Sequence, residues 1–129
     1  MTISVSIVED DAEVRVATRR FLENYGYTVL EASHGLEALR LCQQYSGFID
    51  LLITDVVMPG MSGRELVEQL ADICREIPVL CVSGYTDDVM IRHGVLQANI
   101  TLLQKPFSAD VLVHKVREIL NISRRKDNS

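Results

Sequence analysis

Ile49-Asp50-Leu51-Leu52-Ile53-Thr54-Asp55 is the stretch on which the fold turns. Apart from Asp50 it is apolar at successive positions up to Thr54. An extended segment of that kind is hydrophobic on both faces, as a central strand of a parallel sheet must be. It ends on a carboxylate, and Met58-Pro59-Gly60 then breaks the chain. Two other short apolar runs also lead into charge. Val5-Ser6-Ile7-Val8 runs into Glu9-Asp10-Asp11, and Ile100-Thr101-Leu102-Leu103 is followed by Gln104-Lys105-Pro106. As neighbouring parallel strands, the three would gather their charges at one edge of the sheet, where open α/β sheets bind ligands.

Working outward, residues 28–32 and 79–82 read as two further strands. Between the five strand-like runs the apolar residues change to helical spacing. Val14, Ala17, Phe21, Leu22 and Tyr25 recur at three- and four-residue steps, as on one face of a first helix, which Gly26 ends. Leu36, Leu39 and Cys42 mark a second, and Leu66, Val67, Leu70 and Ile73 a third. Val89, Val95 and Leu96 mark a fourth, capped by Asp87. Leu112, Val116, Ile119 and Leu120 mark a fifth, capped by Ser108. Five strands alternating with five helices predict a three-layer α/β sandwich with a parallel sheet. The flavodoxin-like order 2-1-3-4-5 is the commonest for five strands, and it sets strand 1 beside strand 3. The domain is expected over residues 1–122, with 123–129 a polar tail or the start of a linker.

The bulk numbers fit one globular domain. With 129 residues, 47% hydrophobic and 24% charged, the chain can close a core without disulfides or metals as staples. Its net charge of −5 argues against nucleic-acid binding as the main function. No apolar run approaches the ~20 residues of a membrane span. Met1-Thr2-Ile3-Ser4 does not open a signal peptide, so a cytoplasmic location without membrane contact is expected. Cys42, Cys74 and Cys81 have no metal-ligand spacing and read as reduced, buried thiols. His34, His93 and His114 read as surface or boundary residues.

The residues at the strand ends suggest a chemistry. Carboxylates packed within a few ångströms repel one another, at about 4 kcal/mol per pair at 4 Å and an effective dielectric of 20. A divalent cation relieves this, and Mg²⁺ accepts one or two carboxylates together with phosphoryl oxygens. A carboxylate can itself take a phosphoryl group as an aspartyl phosphate. Asp55 suits the nucleophile, Glu9 and Asp10 the metal, and Ser83 and Lys105 the phosphoryl oxygens. Each residue also has a plainer reading. The acidic triplet can cap the first helix, Asp55 can belong to a turn, and Lys105 can be solvated.

Taken together, Ile7-Val8-Glu9-Asp10-Asp11, Leu51 through Gly63, Val82-Ser83-Gly84-Tyr85 and Lys105-Pro106-Phe107 resemble the receiver domain of two-component response regulators. The likeness runs from about Ser4 to Leu120. Ser83 through Asp87, Arg92 through Leu96 and Leu103 through Phe107 look most like receivers attached to hybrid sensor histidine kinases. The resemblance implies a phosphorelay in which Asp55 accepts phosphate from a phosphohistidine on a sensor histidine kinase or a histidine phosphotransfer domain. It implies Mg²⁺ on Asp10, Asp55 and the main-chain carbonyl of Val57, with Glu9 acting partly through water. Such a domain catalyses only its own phosphorylation and dephosphorylation, whatever a longer parent chain does. Two positions depart from the family's pattern. Glu9 stands where Asp is commoner, and Leu102 stands where an aromatic residue usually swings inward.

Three other functions compete with this one. A flavin-binding electron carrier would need a phosphate loop where the acidic triplet stands. A phosphohydrolase would usually carry a second Asp at position 57, which is Val57. A receiver-like scaffold that binds partners without phosphorylation would keep the fold but accept no phosphate.

Overall fold

The computed structural model describes residues 3–45, 49–55, 69, 77–83, 100–104 and 107–127. The elements are β1 (Ser4–Val8), α1 (Ala12–Asn24), β2 (Thr28–Ala32), α2 (Gly35–Gln44), β3 (Leu51–Asp55), β4 (Val79–Ser83), β5 (Ile100–Gln104) and α3 (Ala109–Asp127). The helix expected over 66–73 lies outside the described residues save for Gln69, which is helical; the one expected over 89–96 lies wholly outside them.

The five strands form one parallel sheet in the order β2-β1-β3-β4-β5. Alternation along each strand divides the core into two. Val5, Ile7, Leu51, Ile53, Leu80, Val82 and Leu103 face Leu22 of α1 and Leu112, Val116, Ile119 and Leu120 of α3. Val8, Ala32, Leu52, Val79 and Cys81 face Ala38 and Leu39 of α2 on the other side. The architecture is thus the three-layer sandwich that the alternating runs predict. Asp50, the polar exception in the deciding stretch, has a structural task. Its carboxylate accepts the Ser4 N–H at 2.9 Å, and its own N–H donates to the Ser4 carbonyl at 2.8 Å. The pair joins β1 and the lead into β3 in register.

Local chemistry sets the helix ends. Asp11 caps α1, its carboxylate accepting the N–H groups of Glu13 and Val14 at 3.0 and 3.2 Å. At the other end Gly26 adopts φ +90°, a conformation that L side chains rarely take. Its N–H bonds to Glu23 O and that of Tyr27 to Leu22 O, the paired closure that a left-handed residue permits. The His34 ring accepts the Glu37 N–H at 3.1 Å and so caps α2. Ser108 caps α3 as expected, its hydroxyl accepting the Val111 N–H at 3.2 Å. α3 continues through Asp127, into the polar segment beyond the last apolar position.

Two expectations need correction. The apolar stripe expected on α1 is buried only in part. Val14, Phe21 and Tyr25 are 39%, 43% and 47% exposed, while Leu22 is fully buried. The helix is rotated so that Arg15 and Arg19 turn toward the sheet, where Glu31 of β2 pairs with both. The cysteines are also not all reduced. Cys81 is free and buried in the sheet, whereas Cys42 is disulfide-bonded to a partner outside the described residues. Cys42 lies at the half-buried margin of the α2-side core, where a bridge can reach it.

Candidate functional site

β1 and β3 pair directly, with Val8 opposite Thr54. The next residue of each is acidic, so this register alone sets Glu9 beside Asp55. Glu9 is buried at 7% exposure, Asp55 is half-buried and Asp10 is exposed. One carboxylate oxygen from each of the three lies within 4.8 Å of the others. The structure therefore brings together the acidic residues picked out in the sequence, and it separates Asp11 from them as a helix cap.

Glu9 is held at both main-chain groups. Its N–H donates to Ala32 O at 3.0 Å, and its carbonyl accepts from Arg15 Nη1 at 2.8 Å. Thr54 is fully buried and donates its hydroxyl to the Asp55 carbonyl at 3.0 Å. Beside the carboxylates a cleft is lined by Glu9, Asp55, Val14, Thr18 and Phe107, among others.

The remaining expected residues differ in how far the structure reaches them. Ser83 closes β4, one position beyond Val82, the register partner of Asp55, and it pairs with Gln104 at the end of β5. Lys105 and Val57 lie outside the described residues. Leu102, at the position of the usual aromatic, is half-buried against the α2-side core. The sequence reading passed over Arg15. The available signal was its place four residues after the cap Asp11, one helical turn on, which lets a long side chain reach back over the loop.

The donor set is all oxygen and triply anionic, with two of its members recessed. It suits a hard divalent cation such as Mg²⁺ better than a transition metal that favours nitrogen or sulfur.

The chain as a whole is similar to known proteins. A family model described as the response regulator receiver domain matches residues 5–117. The sensor kinase CckA of Brucella abortus (strain 2308) is 39% identical over 117 residues, which are 91% of this chain and 12% of that protein. The response regulator MprA of Mycobacterium ulcerans (strain Agy99) is 34% identical over 129 residues, 99% of this chain and 54% of that one. The chain thus spans only part of either curated relative. Among solved structures, the receiver domain of the hybrid histidine kinase CckA superposes with a TM-score of 0.77 at 36% identity, covering 91% of this chain and 98% of that one. A CheY-like receiver from Methanospirillum hungatei JF-1 gives 0.83 at 25% identity, over 98% and 99%.

Proposed function

The chain belongs to the response regulator receiver family and acts in phosphorelay signalling; on that premise we propose that Asp55 is its phosphoacceptor. The observation that carries this reading is the convergence of Glu9, Asp10 and Asp55 within 4.8 Å at the carboxyl edge of the sheet. A phosphohistidine on a sensor histidine kinase or histidine phosphotransfer domain would donate the group. An Asp55 oxygen attacks phosphorus, the P–N bond breaks, and the imidazole leaves. Asp10, Asp55 and the Val57 carbonyl would hold Mg²⁺, with Glu9 acting partly through water. When bound, the cation would offset negative charge on the transferring oxygens. Ser83 and Lys105 would bind the same oxygens from the ends of the fourth and fifth strands.

The domain on this reading is no turnover enzyme beyond its own phosphorylation and dephosphorylation. Among the described residues no helix is long and apolar enough to cross a membrane, and the cytoplasm is the location we propose for the domain. Residues 1–122 would make the receiver unit. The likeness to the CckA receiver favours a place in a hybrid-kinase relay.

Incubation with acetyl phosphate and Mg²⁺ should add one phosphoryl group, read by intact mass. Asp55→Asn should abolish the gain. A mass gain that persists in the variant would overturn the assignment. No gain in the wild type would favour the phosphorylation-independent scaffold.

A further inference from the structure

We infer that Arg15 is a positioning residue for the cation site: pinned by Glu31, it fixes the peptide between Glu9 and Asp10 and so sets where Asp10 stands beside Asp55. The inference rests on the proposal that these three carboxylates hold Mg²⁺.

Glu9 C=O and Asp10 N–H belong to one rigid unit that also contains the Asp10 Cα. Whatever holds the Glu9 oxygen therefore sets the direction in which Asp10 leaves the strand. The paired register of β1 with β3 runs to Val8, and the Glu9 N–H continues to Ala32 of β2, so the contact from Arg15 acts on the next main-chain group, the Glu9 carbonyl. Arg15 supplies the restraint, with Nη1 2.8 Å from the Glu9 oxygen.

Arg15 is restrained in turn. Its Nε lies 3.5 Å from Glu31 Oε1, with the two side chains 19% and 24% exposed. The other Glu31 oxygen pairs with Arg19 Nη1, and Arg19 Nε lies 3.4 Å from Glu23 Oε1. A line of charges thus runs from the outer face of α1 to the main chain at the site. As isolated ion pairs these contacts would stabilise the fold little. Their consequence lies in geometry, since a guanidinium fork presents donors in two fixed directions at once. Arg15 cannot ligate a cation, having no acceptor. Its charge also opposes a cation bound nearby. Charge alone and positioning therefore predict opposite signs when Arg15 is removed.

Mg²⁺ titration calorimetry on the whole chain separates them. Arg15→Met should raise the Mg²⁺ Kd about tenfold, the usual scale for losing a group that orients a ligand. Arg15→Lys keeps the charge but loses the fork, and should raise it less, roughly threefold. Arg15→Met combined with Glu31→Gln should lose no more than Arg15→Met alone, because Glu31 acts through Arg15. Circular dichroism melting checks the fold. If Arg15→Met does not fold, Arg15→Lys carries the test, and a wild-type Kd in it overturns the inference. An unchanged or lower Kd in folded Arg15→Met overturns it while leaving the proposed function intact. No saturable binding by the wild type, or binding that survives Asp10→Ala, overturns both.

Discussion

Glu9, Asp10 and Asp11 form one acidic run in the sequence, yet the structure gives them separate tasks. Asp11 caps α1, Asp10 stands exposed at the rim, and Glu9 is buried with its main chain fixed on both sides. Asp10 can therefore meet a cation directly, whereas the longer Glu9 side chain suits contact through water. Asp10→Ala should weaken Mg²⁺ binding strongly and Glu9→Gln less, by calorimetry; equal losses or the reverse order would contradict these roles. Removing Asp10 also takes one of three neighbouring like charges from the metal-free protein. Its melting temperature without Mg²⁺ should rise even as affinity falls. The carboxylates were legible because strand ends and residue types are written in the chain. Arg15 was not, because a basic residue one turn into a helix looks like any solvated side chain until the facing strand is known.

At the scale of elements, the strands were read more accurately than the rotation of the helices. A strand apolar on both faces admits few environments, so β3 was legible as a central strand from its composition alone. The order β2-β1-β3-β4-β5 followed from crossover rules. α1 offers two candidate stripes some 60–100° apart, counted at 3.6 residues per turn. One carries Val14, Phe21 and Tyr25; the other carries Leu22 with Arg15 and Arg19. Hydrophobicity favours the first, yet the second lies inward, with Leu22 fully buried and Arg15 and Arg19 paired to Glu31. Tyr25 remains 47% exposed, with the Arg117 guanidinium of α3 5.1 Å from its ring centre. Urea unfolding should distinguish the faces. Leu22→Ala should cost about 2–5 kcal/mol, as a fully buried leucine does. Phe21→Ala should cost under about 1 kcal/mol, since exposed positions tolerate truncation. A larger loss at Phe21 than at Leu22 would mean that α1 is rotated otherwise.

Across the whole molecule, the two cores meet at the sheet and the site occupies one edge of it, so the carboxylates depend on the packing of both layers. Cys81 reports on that packing. It lies on β4 with no exposed surface, in the α2-side core. Burial alone raises its thiol from an ordinary 9.0 to about 11, because the thiolate would sit in apolar surroundings. The unfolded chain then loses this proton before the native protein does. The stabilisation is fully present below pH 9.0 and is lost as pH rises through about 11. Two pKa units correspond to roughly 2–3 kcal/mol, an upper figure because the native fold relaxes around charge. The comparison is with Cys81→Ala, which is less stable at pH 8 through lost packing but has no thiol to ionise. Its deficit should therefore shrink between pH 9 and 11, as measured by urea unfolding at each pH. A constant deficit across that window would mean that the Cys81 thiol ionises as readily in the folded protein as in the unfolded chain, and that the sheet does not exclude charge at β4.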